Sequence, residues 1–162
     1  SSLAFNGTDI NIAYRGPDGI GNNIAYLAKY NYHRYLISKL TYGWHWGWNS
    51  PYTIDAAAGS GSHISLAIDA DGYLHTSYVT YASFTKHYLY YSVSSTGSTW
   101  TSTLLGTGTY FSTSNNNTVG YYNDIATYAD RVYISYYAYS RNFLSINSYI
   151  RLAKSIDGGA SF

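Results

Sequence analysis

Nine residues, GWHWGWNSP from Gly43 to Pro51, hold three of the chain's four tryptophans and one of its five histidines. Exposed indoles are flat apolar platforms. Sugar rings stack on them through their C–H faces, and protein partners use them as anchors. Trp44, His45, Trp46 and Trp48 are therefore the first candidates for ligand contact, against the plainer alternative that they fill a gap between packed elements. Arg15 and Arg141 add planar forks suited to carboxylates, with a solvated or Asp-paired arginine as the competing reading. His87 closes the stretch VTYASFTKH from Val79, and it joins the candidate ligand contacts. His75, within LHTSY, has the chemistry of a proton-transfer group, yet a histidine inside a strand also serves as a packing residue. No H-x-H or H-E-x-x-H spacing points to zinc. Asp69-Ala70-Asp71-Gly72 is half a calcium loop without the distal glutamate, and it reads as a hairpin turn. There is no G-x-S-x-G, P-loop or dinucleotide fingerprint. No catalytic residue, metal or cofactor is assigned.

Composition narrows the field further. The chain of 162 residues has no cysteine, so disulfides, thiolate metal sites and cysteine nucleophiles are out. All eight acids are aspartates, so any mechanism requiring glutamate must find it elsewhere. Charged residues make up 10% and the net charge is +1, too weak a field to gather nucleic acid or an anionic membrane. An aromatic content of 19%, including 22 tyrosines, supplies ample surface to bury and argues against disorder. No apolar run approaches the ~18 residues of a membrane span. The Ser/Thr/Asn/Tyr-rich, Cys-free make-up suits an extracellular or cell-surface protein. Sequons at Asn6-Gly7-Thr8 and Asn116-Asn117-Thr118 are compatible with that. Ser1 is not an initiator methionine, which implies a processed chain or an excerpt of a longer one.

The elements that must carry these residues come from an internal repeat. SLAFNGTDINIAYRG from Ser2, SLAIDADGYLHTSYV from Ser65 and DIATYADRVYISYYA from Asp124 share one plan. Each is an apolar tetrad, a polar turn and an alternating run that ends in a small residue and tyrosine. A further line follows each copy: NIAYLAKY from Asn23, YLYYSVSS from Tyr88 and YIRLAKSI from Tyr149. Leu27, Tyr91 and Leu152 are equivalent, 64 and then 61 residues apart. Alternation at Ile10, Ile12 and Tyr14, and at Val132, Ile134 and Tyr136, has the period of a strand. A fourth strand is expected at RYLISKLTYG from Arg34 and at WTSTLLGTG from Trp100. The third copy stops before its own. One segment, 1–162, thus comprises repeats of about 2–63, 64–123 and 124–162.

After the third strand of the last copy comes SIDGGASF. It resembles the Asp-box, S-x-D-x-G-x-x-[W/F], of sialidase-like β-propellers and their non-sialidase relatives (the BNR repeat), through Ser155, Asp157, Gly159 and Phe162. SSTGSTW is a worn version that keeps Ser94, Gly97 and Trp100. The resemblance implies an all-β fold: a β-propeller segment of about three four-stranded antiparallel blades, the last incomplete. It implies that the boxes brace hairpins, and that ligands sit on the opposite face. The loops there would be RGPDGIGNN from Arg15, VTYASFTKH from Val79 and YAYSRNFLSINS from Tyr137. Long inter-blade loops, YGWHWGWNSPYTIDAAAGSG from Tyr42 and TGTYFSTSNNNTVGYYN from Thr107, would join them. The sialidase comparison departs in detail, because no R-I-P-like phrase occurs and a tyrosine nucleophile would lack its glutamate. His75 is similar in placement to the histidine of propeller polysaccharide lyases. The leading functional expectation is an extracellular binding or structural module, with glycans as the first ligand class. The alternatives are a fragment of a sialidase-like hydrolase or polysaccharide lyase, and an architectural subunit of an extracellular assembly. Three blades cannot close a ring. Completion would come from the remainder of a longer chain, from self-association, or from a strand donated by a neighbour.

Overall fold

The computed structural model describes residues 1–38, 41–83, 85–109, 116–141 and 145–162, with 31–38, 41–46 and 116 described by backbone alone. It is all-β, with twelve strands and no helix among the described residues. The first sheet holds β1 (Ser2–Asn6), β2 (Asp9–Pro17), β3 (Asn23–Ser38) and β4 (Thr41–Trp48) in order, with β5 (Tyr52–Asp55) also paired to β3. The second holds β6 (Ser62–Ile68), β7 (Leu74–Ser83), β8 (Lys86–Ser94), β9 (Thr101–Thr109), β10 (Asn116–Tyr128), β11 (Arg131–Arg141) and β12 (Ile146–Ser155). Every pairing is antiparallel and each strand in this second sheet neighbours the next in sequence.

Turn chemistry sets the hairpins. Between β6 and β7 the Asp69 carboxylate accepts the N–H of Asp71 at 3.1 Å and of Tyr73 at 2.8 Å. Gly72, at φ +85°, supplies the left-handed residue that such a turn needs.

Three meanders follow from this pairing: β1 to β5, β6 to β9, and β10 to β12. The second and third share one sheet, because Asn117 of β10 pairs with Thr109 of β9. That is a departure from three separate four-stranded sheets. A second departure lies in the first meander. The stretch from Arg34, expected as a fourth strand, instead continues β3, and the tryptophan-bearing stretch, expected as a loop, is strand β4. Aromatic and β-branched residues on both sides of the reversal let the two pair from Tyr30↔Trp48 to Ser38↔Thr41 despite Gly43 and Gly47. Residues 39–40 lie outside the described residues. The short β5 takes the fourth place beside Ala25, Tyr26 and Leu27. The loop expected from Thr107 is likewise mostly strand, β9 through Thr109 and β10 from Asn116, with 110–115 outside the described residues. So is the loop from Tyr137, which runs along β11 to Arg141 and resumes in β12 at Ile146, with 142–144 outside them.

The meanders stack by one recurring joint. β1 lies against β6, and β6 against β10. The Ser2 hydroxyl accepts the N–H of Leu66 at 3.0 Å, and the equivalent Ser65 hydroxyl accepts the N–H of Ile125 at 3.3 Å. Leu66 enters an apolar cluster with Ala13, Ala25 and Leu27 of the preceding meander, while Ile125 enters one with Tyr91. Just before each joint the backbone turns left-handed twice, at Gly61 and His63 and again at Gly120 and Tyr122. A Cβ on Gly61 would lie 3.0 Å from the Ala25 backbone, so close approach as well as φ calls for glycine there.

Leu66 is 5% exposed and central to the first joint. Truncation to alanine is expected to destabilise the chain by about 2–5 kcal/mol in urea unfolding, as for other buried leucines. A loss under ~1 kcal/mol would mean that the joint packs loosely.

Candidate functional site

The aromatic stretch sits on a ribbon. β2 accompanies β3 only as far as the pair Ile10↔Tyr30. Beyond it, β3 is paired with β4 alone, in the register Tyr32↔Trp46, His33↔His45 and Arg34↔Trp44. Trp44, Trp46 and Trp48 occupy alternate positions of one strand, which in a pleated chain belong to one face. The side chains of Trp44, His45 and Trp46 lie outside the described residues. At the ribbon's base Trp48 is 52% exposed, its ring centroid 5.3 Å from that of Tyr30 at a 60° tilt. A two-stranded ribbon has little core of its own, and the Tyr30–Trp48 pair adds cohesion at its base.

The other expected ligand residues lie on three other strands. Arg15 is exposed on β2 in the first sheet, and Arg141 is exposed at the end of β11 in the second. His87 is not on a loop. It lies in β8, 1% exposed, and its Nε2 accepts the N–H of Val119 at 3.0 Å. Its ring packs near Tyr81 and Tyr121, with centroids 6.1 and 5.4 Å away. The physical reason is a missing partner: β10 enters the sheet with a backbone N–H that the imidazole satisfies. Burial holds the His87 pKa below the ordinary histidine value.

Two recesses of about 330 Å³ each open between consecutive meanders at equivalent places. The first is lined by Asp55, Tyr78, Thr80, Tyr88 and Tyr90, and the second by Asn117, Thr118, Tyr139, Tyr149 and Arg151 among others. In the first, the Tyr78 and Tyr90 rings stack at 6.0 Å, and the Tyr78 hydroxyl meets Ser92 Oγ at 3.0 Å. Burial pushes the Tyr78 pKa up to about 12, so that hydroxyl keeps its proton at neutral pH.

The two box-like turns are built alike. After β8, the Ser94 hydroxyl accepts the N–H of Gly97 at 2.7 Å, and Trp100 Nε1 donates to the Gly97 carbonyl at 3.0 Å. After β12, the Ser155 hydroxyl accepts the N–H of Gly159 at 2.8 Å and donates to Asp157 Oδ1 at 2.6 Å. Asp157 also takes the Ser161 N–H at 2.9 Å and the Ser161 hydroxyl at 2.6 Å. Those hydrogen bonds, the Ser155 hydroxyl first, hold its carboxyl down at about 2. All of its described partners are within the turn. Each turn also rests its glycine on the preceding meander. A Cβ on Gly97 would lie 2.7 Å from Leu27 Cδ2, and one on Gly159 would lie 1.9 Å from the Tyr91 hydroxyl. Phe162 meets the Tyr91 ring edge-on at 4.8 Å.

Sequence reasoning missed the connection beneath the last turn. His75 Nε2 lies 3.0 Å from Asp69 Oδ2, and its Nδ1 lies 2.8 Å from the Tyr91 hydroxyl. That hydroxyl is also 3.2 Å from the Gly158 carbonyl. A hairpin turn of one meander is thus tied to the closing turn of the next. His75 is 1% and Tyr91 0% exposed, so both rings of this series are buried, while Asp69 is partly exposed. Burial, then the Asp69 and Asp157 carboxylates, raise the Tyr91 pKa, which disfavours a phenolate. The signal in the sequence was the repeat equivalence of Tyr91 with Leu27, 64 residues earlier, which marks a joint position.

Comparison of the chain with protein-family models, with curated proteins and with solved structures finds no match.

Two outcomes check this description. Tyr91→Phe keeps the ring but leaves His75 Nδ1 without its partner, and is expected to cost about 1–3 kcal/mol in equilibrium unfolding. A neutral His87 is needed to accept the Val119 N–H, and its lowered pKa means the unfolded chain binds its proton first. Stability is therefore full above about pH 6.5 and falls as pH drops from there toward the lowered value. His63, also lowered by burial, acts in the same sense. In thermal melts across this range His87→Gln, whose amide oxygen accepts an N–H at any pH, should show the shallower fall.

Proposed function

We propose that this chain is part of an extracellular, Asp-box type β-propeller whose role is binding, with the β3–β4 ribbon as its contact surface and glycans as the ligand class. The observation that carries the reading is Trp48, half-exposed beside Tyr30 at the base of a ribbon that has Trp44 and Trp46 at the alternate positions beyond it. Tryptophans at successive alternate positions of one strand suit successive sugar rings of an extended polymer. The propeller part of the reading is supported by three stacked meanders with a recurring joint, and by two serine–glycine turns in the same place after the third strand.

A glycan array probed with the purified chain should return ligands with an extended pyranose backbone. Titration of a hit, followed by tryptophan fluorescence, should weaken at least ~10-fold in Trp48→Ala, the equivalent of about 1.4 kcal/mol. Circular dichroism should remain unchanged, since Trp48 is half-exposed. An array without hits, or binding indifferent to Trp48→Ala and Trp46→Ala alike, would remove the ribbon from the account.

A further inference from the structure

The two recesses between consecutive meanders differ in charge. The second carries its own cation. The Arg151 guanidinium lies over the Tyr149 ring, 5.9 Å from its centroid and within cation–π range. No carboxylate is among the described residues that line this recess. In the repeat, Tyr149 and Arg151 correspond to Tyr88 and Tyr90, which line the first recess. There the tyrosine is kept and the arginine is replaced. What the first recess holds instead is a carboxylate, Asp55, and no lysine, arginine or histidine pairs with it among the described residues.

Asp55 is held firmly in place. Its Oδ1 accepts the N–H of Ala57 at 2.8 Å, and its backbone carbonyl accepts the Ser60 hydroxyl at 2.9 Å. Its Oδ2 accepts the Thr80 hydroxyl at 3.4 Å, long for an O–H···O bond. The carboxylate thus keeps acceptor capacity for a further donor. Three tyrosine rings line the same recess. Tyr90 stacks on Tyr78 at 6.0 Å and 24°, and Tyr88 meets Tyr90 at 6.3 Å with a 59° tilt.

We propose that the first recess binds a small organic ammonium ion, with Asp55 as the counter-charge and the Tyr88 and Tyr90 rings as its walls. Arg151 displays the mode within the same molecule: a cation over the tyrosine that both recesses share. An alkylated ammonium gains twice, because its charge meets the carboxylate while its C–H surface covers the rings. A hard inorganic cation needs several oxygen ligands, and the lining offers a single carboxylate among the described residues. A volume of about 330 Å³ is at the low end for small-molecule sites, which sets the ligand's size. Both meanders that form the recess are present, and its lining runs from Asp55 to Ser102. It lies at the Ala25↔Asp55 end of β3, whereas the ribbon begins beyond Tyr30. The inference is therefore independent of what the ribbon binds.

Titration of the full chain with choline or with butylammonium, followed by proton NMR of the ligand, tests it. Contact with tyrosine faces should move the N-methyl or methylene protons upfield in a saturable way. Neohexyl alcohol, the neutral isostere of choline, should bind at least ~10-fold more weakly than choline. Binding of either ion supports the proposal, and the preference between them tells a quaternary headgroup from a lysine side chain as the source. Asp55→Asn keeps an Oδ1 acceptor for Ala57 but removes the charge, and should weaken binding at least ~10-fold. Tyr90→Arg gives this recess a guanidinium of its own, as in its counterpart, and should abolish binding. Tyr88→Leu removes a half-buried ring without touching Asp55, and it should weaken binding even if either other variant fails to fold. Circular dichroism and melting establish which variants are folded. No saturable shift with either ion overturns the proposal. So does an isostere that binds as tightly as choline, or affinity unchanged in the folded variants.

Discussion

The structure depends on a close approach of backbone to side chain that only glycine permits. Gly97 and Gly159 press their turns onto Leu27 and Tyr91, the third-strand residues of the preceding meanders, at distances where a Cβ would clash. A serine hydroxyl in each turn fixes that glycine's amide, so the contact is oriented as well as tight. With the turn so placed, the first strand of the same meander falls against the neighbour's apolar face. Its backbone N–H then reaches the waiting serine. Apolar burial provides the driving force, and the hydrogen bonds specify which strand sits where.

That dependence explains where polarity is tolerated inside. His75, His87 and Ser77 are all about 1% exposed or less, in a chain with few charges to spare. Each is satisfied across an element boundary: His75 by Asp69 and Tyr91, His87 by Val119, and Ser77 by Asn123 at 2.6 Å. No buried side-chain nitrogen or oxygen among the described residues lacks a partner. Such groups make each junction selective for one neighbour, because a slipped strand would leave them orphaned.

Much of the strand architecture could be read from the residues. The period-two runs at Ile10–Tyr14 and Val132–Tyr136, the turn at Asp69 and the equivalence of Leu27, Tyr91 and Leu152 all have local causes. They therefore survive without tertiary context. The misread stretch was the first meander's second half. Locally, glycines at 43 and 47 read as loop punctuation, but the pairing of β4 with a prolonged β3 overrode them, as tertiary partners override propensity in sheets. His87 was misplaced for a related reason. Nothing near it in sequence reveals that the backbone of Val119, 32 residues away, will need an acceptor. Of the proposed contact surface, the residue types were legible, whereas their arrangement on a ribbon was not.

One seam differs in kind from the others. Within each meander the strands are stitched by ladders of several residue pairs, but among the described residues β9 and β10 share one bridge, Asn117↔Thr109. Across that seam, the relative orientation of the second and third meanders is governed by side-chain packing, which tolerates small rotations that a full ladder would forbid. Pitch and curvature in a longer array would then be adjustable at such seams. The number of units per turn would be a property of the side chains lodged there, not of the strand pairing itself.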